Sequence, residues 1–514
     1  MNLETSKRTP EAKAAFSALI VGIVTHAFAL VNPIHNYDNI LQNPRGVGAG
    51  VTSGRWMLDM ASDFTTQFLD LNYNLPLVNG LAFLVLIALS SAVLMNVLKI
   101  RRSGSAILLG CCMATFPAVA STMAFRYTAI YYGFALLFSV LAAWVVHKPK
   151  VGMLLSAICM ACAMGIYQAY APFTIGLFVL MLLRQSLEQD AQLSKLIRQG
   201  FYYCAVLILG VLLYFAMVKL SLALYSTDEV VVLDSYLGIN NMGKIDPERL
   251  PRLILKAFYY GAFFAIENYC GLAPSMIMKL LWVVLILVIV GMVCIIFWIR
   301  KIKPLNMAFC CLMGLFFPLA INFQIVMSPE NMPYTIMVYS IVLVACAPLM
   351  LLEFMPEQPR CIGKLACALL IAISFYNGYY TNYNYNTLEY SNRQVENFMS
   401  GLITQIRMTE GFTPEKKWVF VGGFDDPMLY SIWNEDLAFG GFVNCDADGL
   451  LSADYSVNMW IHSYLGYETP YADEEEKETV MARSEVQQMP CWPSEGSIQV
   501  MDEYVVVKFQ ELAE

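Results

Sequence analysis

Charged residues are scarce in this chain, at 14% of 514 residues, whereas 58% of the residues are hydrophobic. Soluble globular proteins are roughly a quarter charged, so this shortage excludes an ordinary soluble enzyme. The sequence also lacks a Walker-type phosphate loop and a dinucleotide fingerprint, which argues against nucleotide chemistry. Its fourteen cysteines show no metal-ligand spacing, and most lie inside apolar segments, where cysteine behaves as a small hydrophobe.

The sequence instead contains many long apolar runs. Runs of about 20 apolar residues are long enough to cross a bilayer as helices, because the backbone must satisfy its own hydrogen bonds in lipid. The sequence therefore predicts a polytopic α-helical membrane protein with about 11 transmembrane helices. They lie near 14–32, 78–98, 105–124, 128–147, 151–168, 170–183, 202–222, 276–299, 304–327, 333–353 and 364–380.

Basic residues alternate along the chain in the way that the positive-inside rule requires. With the N-terminus inside, the inner segments hold sixteen Lys and Arg residues, and the short outer loops hold few. The pattern predicts a cytoplasmic N-terminus and, with an odd number of spans, an extracytoplasmic C-terminus. The first run is too long and too well flanked for a cleaved signal sequence.

Net charge divides the chain into two predicted domains. Residues 1–381 carry +8 and form the membrane domain, whereas residues 382–514 carry −16. The tail contains the strand pattern WVFVGG and the alternating stretch GSIQVMDEYVVVKF, which predict a small extracytoplasmic α/β domain. Its acidity argues against nucleic acid as a partner. Cys445 and Cys491 lie in this tail, and either a disulfide or two free thiols fits the sequence.

The two longest outer segments carry helical patterns of their own. In the first outer loop (33–77), RWMLDMASDFTTQFLDLNY places apolar residues at three-to-four spacing. It predicts a helix in the membrane interface, although its acidic polar face leaves packing against the protein equally open. In the second (223–275), the run AFYYGAFFAIENY is too short to span and predicts an interfacial or re-entrant helix.

The first outer loop also collects residues that suit sugar transfer from a polyprenyl-phosphate carrier. That reaction needs a carboxylate base for the sugar hydroxyl, and positive charge and backbone donors for the leaving phosphate. Asp38 is the only carboxylate between the first span and Arg55, which makes it the candidate base. His35, Arg45, Arg55 and, in the next outer loop, Arg126 are the candidate phosphate ligands.

A further group of residues is expected to bind substrate, and each has a plainer alternative. The group comprises Tyr37, Tyr167, Gln168, Tyr170, Glu267 and Glu330. The tyrosines equally suit an aromatic belt, and Arg55 or Arg126 equally suits an interfacial anchor. Asp38 equally suits a helix cap, in which case Glu267 or Glu330 is the replacement base.

The order of these elements resembles the bacterial GT-C glycosyltransferases, specifically the serotype-converting O-antigen glucosyltransferase family. The motifs NPIHNYDN…SGRWML, GIYQAY (165–170) and MPCWPSEGSI…VVVKF carry the resemblance. It implies a polyprenyl-phosphate-linked glucose donor, a surface-polysaccharide acceptor and a site at the outer leaflet of the cytoplasmic membrane. The paired acids of many GT-C enzymes are missing, because Asn39 follows Asp38. We therefore expect no metal and no other cofactor.

Two other classes of protein remain open from the sequence. A lipid-linked oligosaccharide transporter or flippase would place the polar residues along a transport path, but such proteins usually carry internal repeats, and this sequence shows none. A structural or sensory protein would use the acidic tail to bind partners and would leave the composition of the first outer loop unexplained.

Overall fold

The structure is a computed structural model that describes residues 9–34, 50–69, 75–225, 232–233, 240–242, 244, 246–329, 332–356, 361–422, 458, 461–462 and 465–511. The chain divides into two compact units. The first holds the described residues up to Tyr383 except Ile34, and the second holds Ile34 and the described residues from Asn384 onward. The sequence-based division after residue 381 falls close to this point and stays a prediction.

Helices build the first unit, joined by short 3-10 turns. They are α1 Pro10–Val31, α2 Trp56–Asp63, α3 Pro76–Leu98, α4 Ser103–Thr115, α5 Pro117–Ala124, α6 Ala129–Val145, α7 Gly152–Ile166, α8 Ala171–Ser186, α9 Leu193–Tyr225, α10 Leu250–Phe263, α11 Met276–Arg300, α12 Pro304–Ile321, α13 Gln324–Met327, α14 Leu343–Leu352 and α15 Cys361–Met408. The last helix, α15, contributes residues to both units.

Every one of the eleven apolar runs falls on helix. Among the described residues, eight helices are long and apolar enough to cross a membrane, and the bent pair α4–α5 raises this number to nine. The bend of 41° follows from Pro117, which holds the preceding Phe116 in an extended conformation. Two predicted spans correspond to shorter apolar helices, Gly152–Ile166 and Tyr339–Leu352. The helical membrane class is confirmed, and the number of eleven spans stays a prediction.

Small residues bring α1 close to its neighbours. A Cβ added at Gly110 of α4 would lie 2.3 Å from the carbonyl oxygen of Ala14, and one added at Gly80 of α3 would lie 2.3 Å from the side chain of Leu30. The Ser17 hydroxyl donates to the carbonyl of Ile107 at 3.0 Å. Packing of small residues joins apolar helices where burial in lipid supplies no driving force between them.

Basic residues from several predicted inner segments meet at one end of the bundle, after α14. The backbone N–H of Arg102 donates to the Glu353 carboxylate at 3.0 Å. The guanidinium groups of Arg184 and Arg300, at the ends of α8 and α11, lie over the Phe354 ring at 5.3 and 5.5 Å. Helix ends that the positive-inside pattern assigns to one side of the membrane therefore share one end of the bundle.

The second unit contains a three-stranded sheet with the order β1-β3-β2. Strand β1 (Lys417–Val421) is parallel to β3 (Tyr504–Lys508), and β2 (Ile498–Met501) is antiparallel to β3. The short helices α16 (Glu474–Met481) and α17 (Ser484–Gln488) precede the β2–β3 hairpin. Successive side chains point to opposite faces, so Val505 and Val507 pack with α15, whereas Val506 packs with α16 and α17. Both strand predictions, for WVFVGG and for GSIQVMDEYVVVKF, agree with this sheet.

A fully buried lysine ties the hairpin to the segment before it. The Lys508 side chain is 0% exposed, and its ammonium group donates to the carbonyls of Gln487 and Met489 at 2.8 and 2.9 Å. It also pairs with the exposed Glu511 carboxylate at 2.6 Å. This pairing lowers the pKa of Glu511. Each proton of the buried ammonium group therefore has an acceptor, as burial of a charge requires.

Replacing Lys508 with Met keeps most of the side-chain volume but leaves the partly buried carbonyl of Gln487 and the buried carbonyl of Met489 without their donor. Each unsatisfied group costs about 1–3 kcal/mol, so we expect Lys508→Met to lower the free energy of unfolding of the second unit by about 2–4 kcal/mol. Hydrogen exchange of the β3 amides in the full-length protein measures this. Lys417→Met is the control, because Lys417 also pairs with a glutamate, Glu476, but is partly exposed, and we expect a loss below about 1 kcal/mol. Equal exchange in the two variants would contradict the prediction.

Candidate functional site

The predicted site residues divide into two groups according to what the structure describes. His35, Tyr37, Asp38, Arg45 and Glu330 lie outside the described residues, as does Cys445 of the predicted disulfide. The structure describes Arg55, Arg126, Tyr167, Gln168, Tyr170 and Glu267. It brings the first-loop motif SGRW into contact with the GIYQAY motif, although more than a hundred residues separate the two along the chain.

The indole of Trp56 fixes the first loop against α7. Trp56 is 5% exposed, and a Cβ added at Gly165 would lie 2.5 Å from its Cε2 atom. Further along this segment, Leu58 is buried, whereas Phe64 and Phe68 are exposed and stack on each other at 5.2 Å. The predicted amphipathic helix is therefore present, but its apolar residues face two directions. One set packs on the protein and the other is exposed on the surface.

Arg55 lies on a stack of tyrosines. Its guanidinium carbon is 4.8 Å from the centre of the Tyr167 ring, and Tyr167 stacks on Tyr132 with centroids 4.5 Å apart and planes 3° from parallel. A guanidinium over an aromatic face gains a cation–π attraction that strengthens when water is excluded. Tyr167 is only 5% exposed, so this stack is a dry platform beneath a half-buried positive charge.

Two side chains hold the main chain just before Arg55. The Gln168 amide nitrogen donates to the carbonyl oxygen of Ser53 at 2.8 Å and contacts the Tyr214 hydroxyl at 3.1 Å. The Tyr214 hydroxyl donates to the carbonyl oxygen of Gly54 at 3.1 Å. Ser53 and Gly54 are therefore bonded to the turn that precedes α8 and to α9, respectively.

Tyr170 lies deeper than Tyr167. It is 2% exposed, and its ring meets the edges of Tyr132 and Tyr339 at centroid distances of 6.2 and 6.5 Å. Its carbonyl oxygen accepts a hydrogen bond from Ser139. Tyr170 therefore supports the platform from within the bundle, and its predicted contact with sugar stays a prediction.

Arg126 begins the short turn Arg126–Thr128 before α6 and is 3% exposed. Its carbonyl oxygen accepts from the Asn79 amide at 3.3 Å. One helical turn later, the Tyr131 hydroxyl bonds to Thr65 of the first outer loop at 2.5 Å, and the next residue, Tyr132, belongs to the platform. Arg126 thus lies at the same end of the bundle as Arg55, and a buried arginine is costly unless it is paired or hydrogen-bonded.

Asp59, one of the acidic residues on the polar face of the predicted amphipathic helix, adjoins the loop. It accepts a hydrogen bond from the Tyr225 hydroxyl at the end of α9, and a Cβ added at Gly50 would lie 2.6 Å from its Oδ1 atom. Burial raises the pKa of Asp59, the hydrogen bond from Tyr225 opposes this, and the charge of Asp63 adds to it. Its position one helical turn after Arg55 was the signal available in the sequence.

Glu267 does not join this group. Its carboxylate accepts from the Tyr259 hydroxyl, within the aromatic segment that α10 and the turn Tyr269–Gly271 form. No hydrogen bond or ion pair of the described residues links Glu267 to Arg55 or Gln168. Among the described residues, no cluster of three His, Cys, Asp or Glu side chains has the arrangement of a metal site. The prediction that the reaction uses no metal remains open.

The fold and this site define a helical membrane protein with an arginine–tyrosine centre where its apolar helices end. The model of the family "Glucosyl transferase GtrII" matches residues 27–345, which is more than half of the chain and includes every described residue of the site. The chain belongs to this family, and it is a glycosyltransferase. The resemblance to serotype-converting glucosyltransferases is thereby confirmed. No curated protein and no solved structure matches the chain.

A methyl group at Gly165 would occupy the space of the Trp56 indole. Overpacking of this kind costs typically 1–3 kcal/mol, so we expect Gly165→Ala to lower the melting temperature of the protein in detergent. Gly314→Ala on α12 is the matched control, because nothing lies within 4 Å of a Cβ added there, and we expect it to be neutral or slightly stabilising. Equal melting temperatures for the two variants would show that Trp56 does not pack on α7 in this way.

The environment of Asp59 predicts that neutralising its carboxylate raises the melting temperature in a pH-dependent way. Because burial raises the pKa of this carboxyl in the folded protein, folding disfavours its ionised form once the pH exceeds the ordinary aspartate value. We expect Asp59→Asn to melt above wild type at pH 7, with the difference shrinking as the pH falls from the raised pKa of the folded protein towards the ordinary aspartate value. The exposed Asp246→Asn is the control. A wild type that melts higher than Asp59→Asn at pH 7 would contradict the prediction.

Proposed function

We propose that the protein transfers glucose, or a similar hexose, from a polyprenyl-phosphate carrier to a surface polysaccharide or O-antigen. The reaction takes place on the outer face of the bacterial cytoplasmic membrane. The observation that carries the proposal is the Arg55 guanidinium on the Tyr167 ring, where two of the three motifs behind the family resemblance meet at one end of the apolar helices. Membrane lipid surrounds the donor's prenyl chain, and nucleic acid has no part in the reaction.

The leaving group explains the need for arginine at this end. A polyprenyl phosphate departs as a stable anion and needs no proton, so positive charge that is already in place stabilises the transition state. Arg55 and the buried Arg126 are the described cations that would supply this charge, with His35 and Arg45 from the preceding loop. Arginine suits the task because its planar donors pair bidentately with phosphate oxygens.

A single carboxylate completes the chemistry. The acceptor hydroxyl must lose its proton as it attacks the anomeric carbon, and Asp38 is the base that we propose for this step. One displacement then inverts the anomeric centre, and no protein nucleophile takes part. Asp59, which adjoins Gly50 at the other end of the same loop, is the described carboxylate against which Asp38 has to be tested.

The orientation of the protein follows from its two unlike ends. We propose that the end where Arg102, Arg184 and Arg300 surround Glu353 and Phe354 faces the cytoplasm. Arg55 and the tyrosine platform then face outward, where the lipid-linked donor is available, and the acidic C-terminal region is extracytoplasmic as well. Eleven crossings are consistent with this arrangement. A transporter would share the topology, but the family is one of glucosyl transferases, which favours the enzyme.

Transfer of radiolabelled hexose from a polyprenyl phosphate in membranes tests the proposed reaction. We expect Asp38→Asn to reduce turnover by about 10²–10⁴-fold, the usual contribution of a positioned base. We expect Asp59→Asn to retain most of it. Arg55→Lys keeps the charge but loses the bidentate geometry, so it should raise the donor KM more than it lowers kcat.

An exposed ion pair supplies matched controls for these variants. Arg249 and Asp246 lie 3.5 Å apart, with side chains 70% and 50% exposed, and their replacement by Lys and Asn should leave transfer unchanged. Full activity of Asp38→Asn together with loss in Asp59→Asn would move the base to Asp59. Absence of transfer by the wild type from any lipid-linked sugar would overturn the proposed function.

A further inference from the structure

We propose that Gln168 and Tyr214 form a clamp that positions Arg55 for the donor phosphate, an inference that rests on the proposed function. The two side chains come from different parts of the bundle, the turn before α8 and the middle of α9. They bind the carbonyl oxygens of consecutive residues, Ser53 and Gly54, immediately before Arg55. Neither side chain needs to touch substrate in this role.

Local main-chain geometry explains why the clamp is needed. The 3-10 turn Val51–Ser53 uses the N–H groups of Ser53 and Gly54, and α2 begins only at Trp56. The carbonyls of Ser53 and Gly54 lie between these two elements. A buried carbonyl must find a donor, and here Gln168 and Tyr214 supply the donors that set the direction of the chain as it enters α2.

Gly54 makes the close approach of Tyr214 possible. Its φ of +69° is in the left-handed region, where glycine has no steric penalty. A Cβ added there would lie 2.6 Å from the Tyr214 hydroxyl oxygen and 3.2 Å from the Gln168 amide nitrogen. Glycine at this position therefore allows both the left-handed conformation of the turn and the close approach of the two clamp side chains.

The clamp and the platform belong to the same short segment. Tyr167, which carries the Arg55 guanidinium, directly precedes Gln168, which holds the main chain of residue 53. Residues 167–168 therefore contact both the Arg55 side chain and the main chain two residues before it. A cation held in its bound geometry loses less entropy on binding phosphate. Gln168, expected from the sequence to contact sugar, has its amide nitrogen engaged within the protein.

Tyr214 has a hydroxyl that packing alone does not explain. The residue is 0% exposed, on a helix whose apolar character makes it a candidate span, and phenylalanine would fill the same volume without burying a polar group. Burial of a hydroxyl is costly unless it is hydrogen-bonded. Its bonds to Gly54 and Gln168 are what the tyrosine adds.

Steady-state transfer kinetics of Tyr214→Phe test the clamp. The variant removes the hydroxyl that bonds to both Gly54 and Gln168. We expect the donor KM to rise about 3- to 10-fold, with kcat close to wild type and a melting temperature lowered about as much as in Tyr203→Phe, which also loses a buried hydroxyl. Tyr203→Phe is the control. Tyr203 lies in the first half of the same helix, is 2% exposed and bonds to His147 at 3.0 Å.

A double-mutant cycle separates positioning from general support of the fold. If Tyr214 acts through Arg55, then Tyr214→Phe should cost less in an Arg55→Lys background than in the wild type. Strictly additive effects of the two substitutions, or an unchanged donor KM in Tyr214→Phe, would contradict the clamp. Neither result would contradict the proposed transfer reaction.

Hydrogen exchange gives a readout that does not require activity. We expect the amides of residues 53–56 to exchange faster in full-length Tyr214→Phe than in Tyr203→Phe. Unchanged exchange at these amides would also contradict the clamp. If the wild type shows no transfer while Tyr214→Phe still exchanges faster at these amides, the proposed function is wrong, but the hydrogen bonds of the clamp are supported.

Discussion

The structure depends on how its main chain is hydrogen-bonded where apolar helices stop. Inside a helix every carbonyl has a partner, but the first loop leaves the carbonyls of Ser53 and Gly54 between two elements. Without water, only side chains from neighbouring helices can supply the donors. Gln168 and Tyr214 do so, and the direction of α2, the burial of Trp56 and the place of Arg55 follow from these bonds.

Close contact between elements has a second requirement, the absence of side chains at selected positions. Gly165 lets the Trp56 indole lie on α7, and Gly54 lets the Tyr214 hydroxyl reach the main chain. In α4, Gly110 lets α1 approach. These glycines are costly for isolated helices and loops, but they allow polar and aromatic groups to meet at distances that a Cβ would forbid. The site therefore depends on the absence of a side chain at these glycines as much as on the polar and aromatic side chains that meet there.

Sequence patterns predicted the helices well and the site only in part. Length and hydropathy located the eight described helices that are long and apolar enough to span a membrane, and the alternation in GSIQVMDEYVVVKF predicted the hairpin, because both signals are local. The contact of Arg55 with Tyr167 is not local, since it depends on how α2 packs against α7. Tyr214 was hidden within an apolar run, and Asp59 was indistinguishable from a solvated helix face until Tyr225 and Gly50 were placed beside it.

The arginines at the two ends of the bundle show why charge alone does not identify a site. Arg184 and Arg300 lie on Phe354, and Arg184 also pairs with Glu188 on its own helix at 2.7 Å. Contacts of this kind fix a helix end and suit a residue that sets topology. Arg55 also lies on an aromatic ring, that of Tyr167, but the main chain just before it is bonded to Gln168 and Tyr214. An aromatic face is therefore common to the arginines at both ends. The bonds to the main chain before Arg55, more than the number of basic residues, are the difference on which we base the proposal that this end binds the donor phosphate and the other is an anchor.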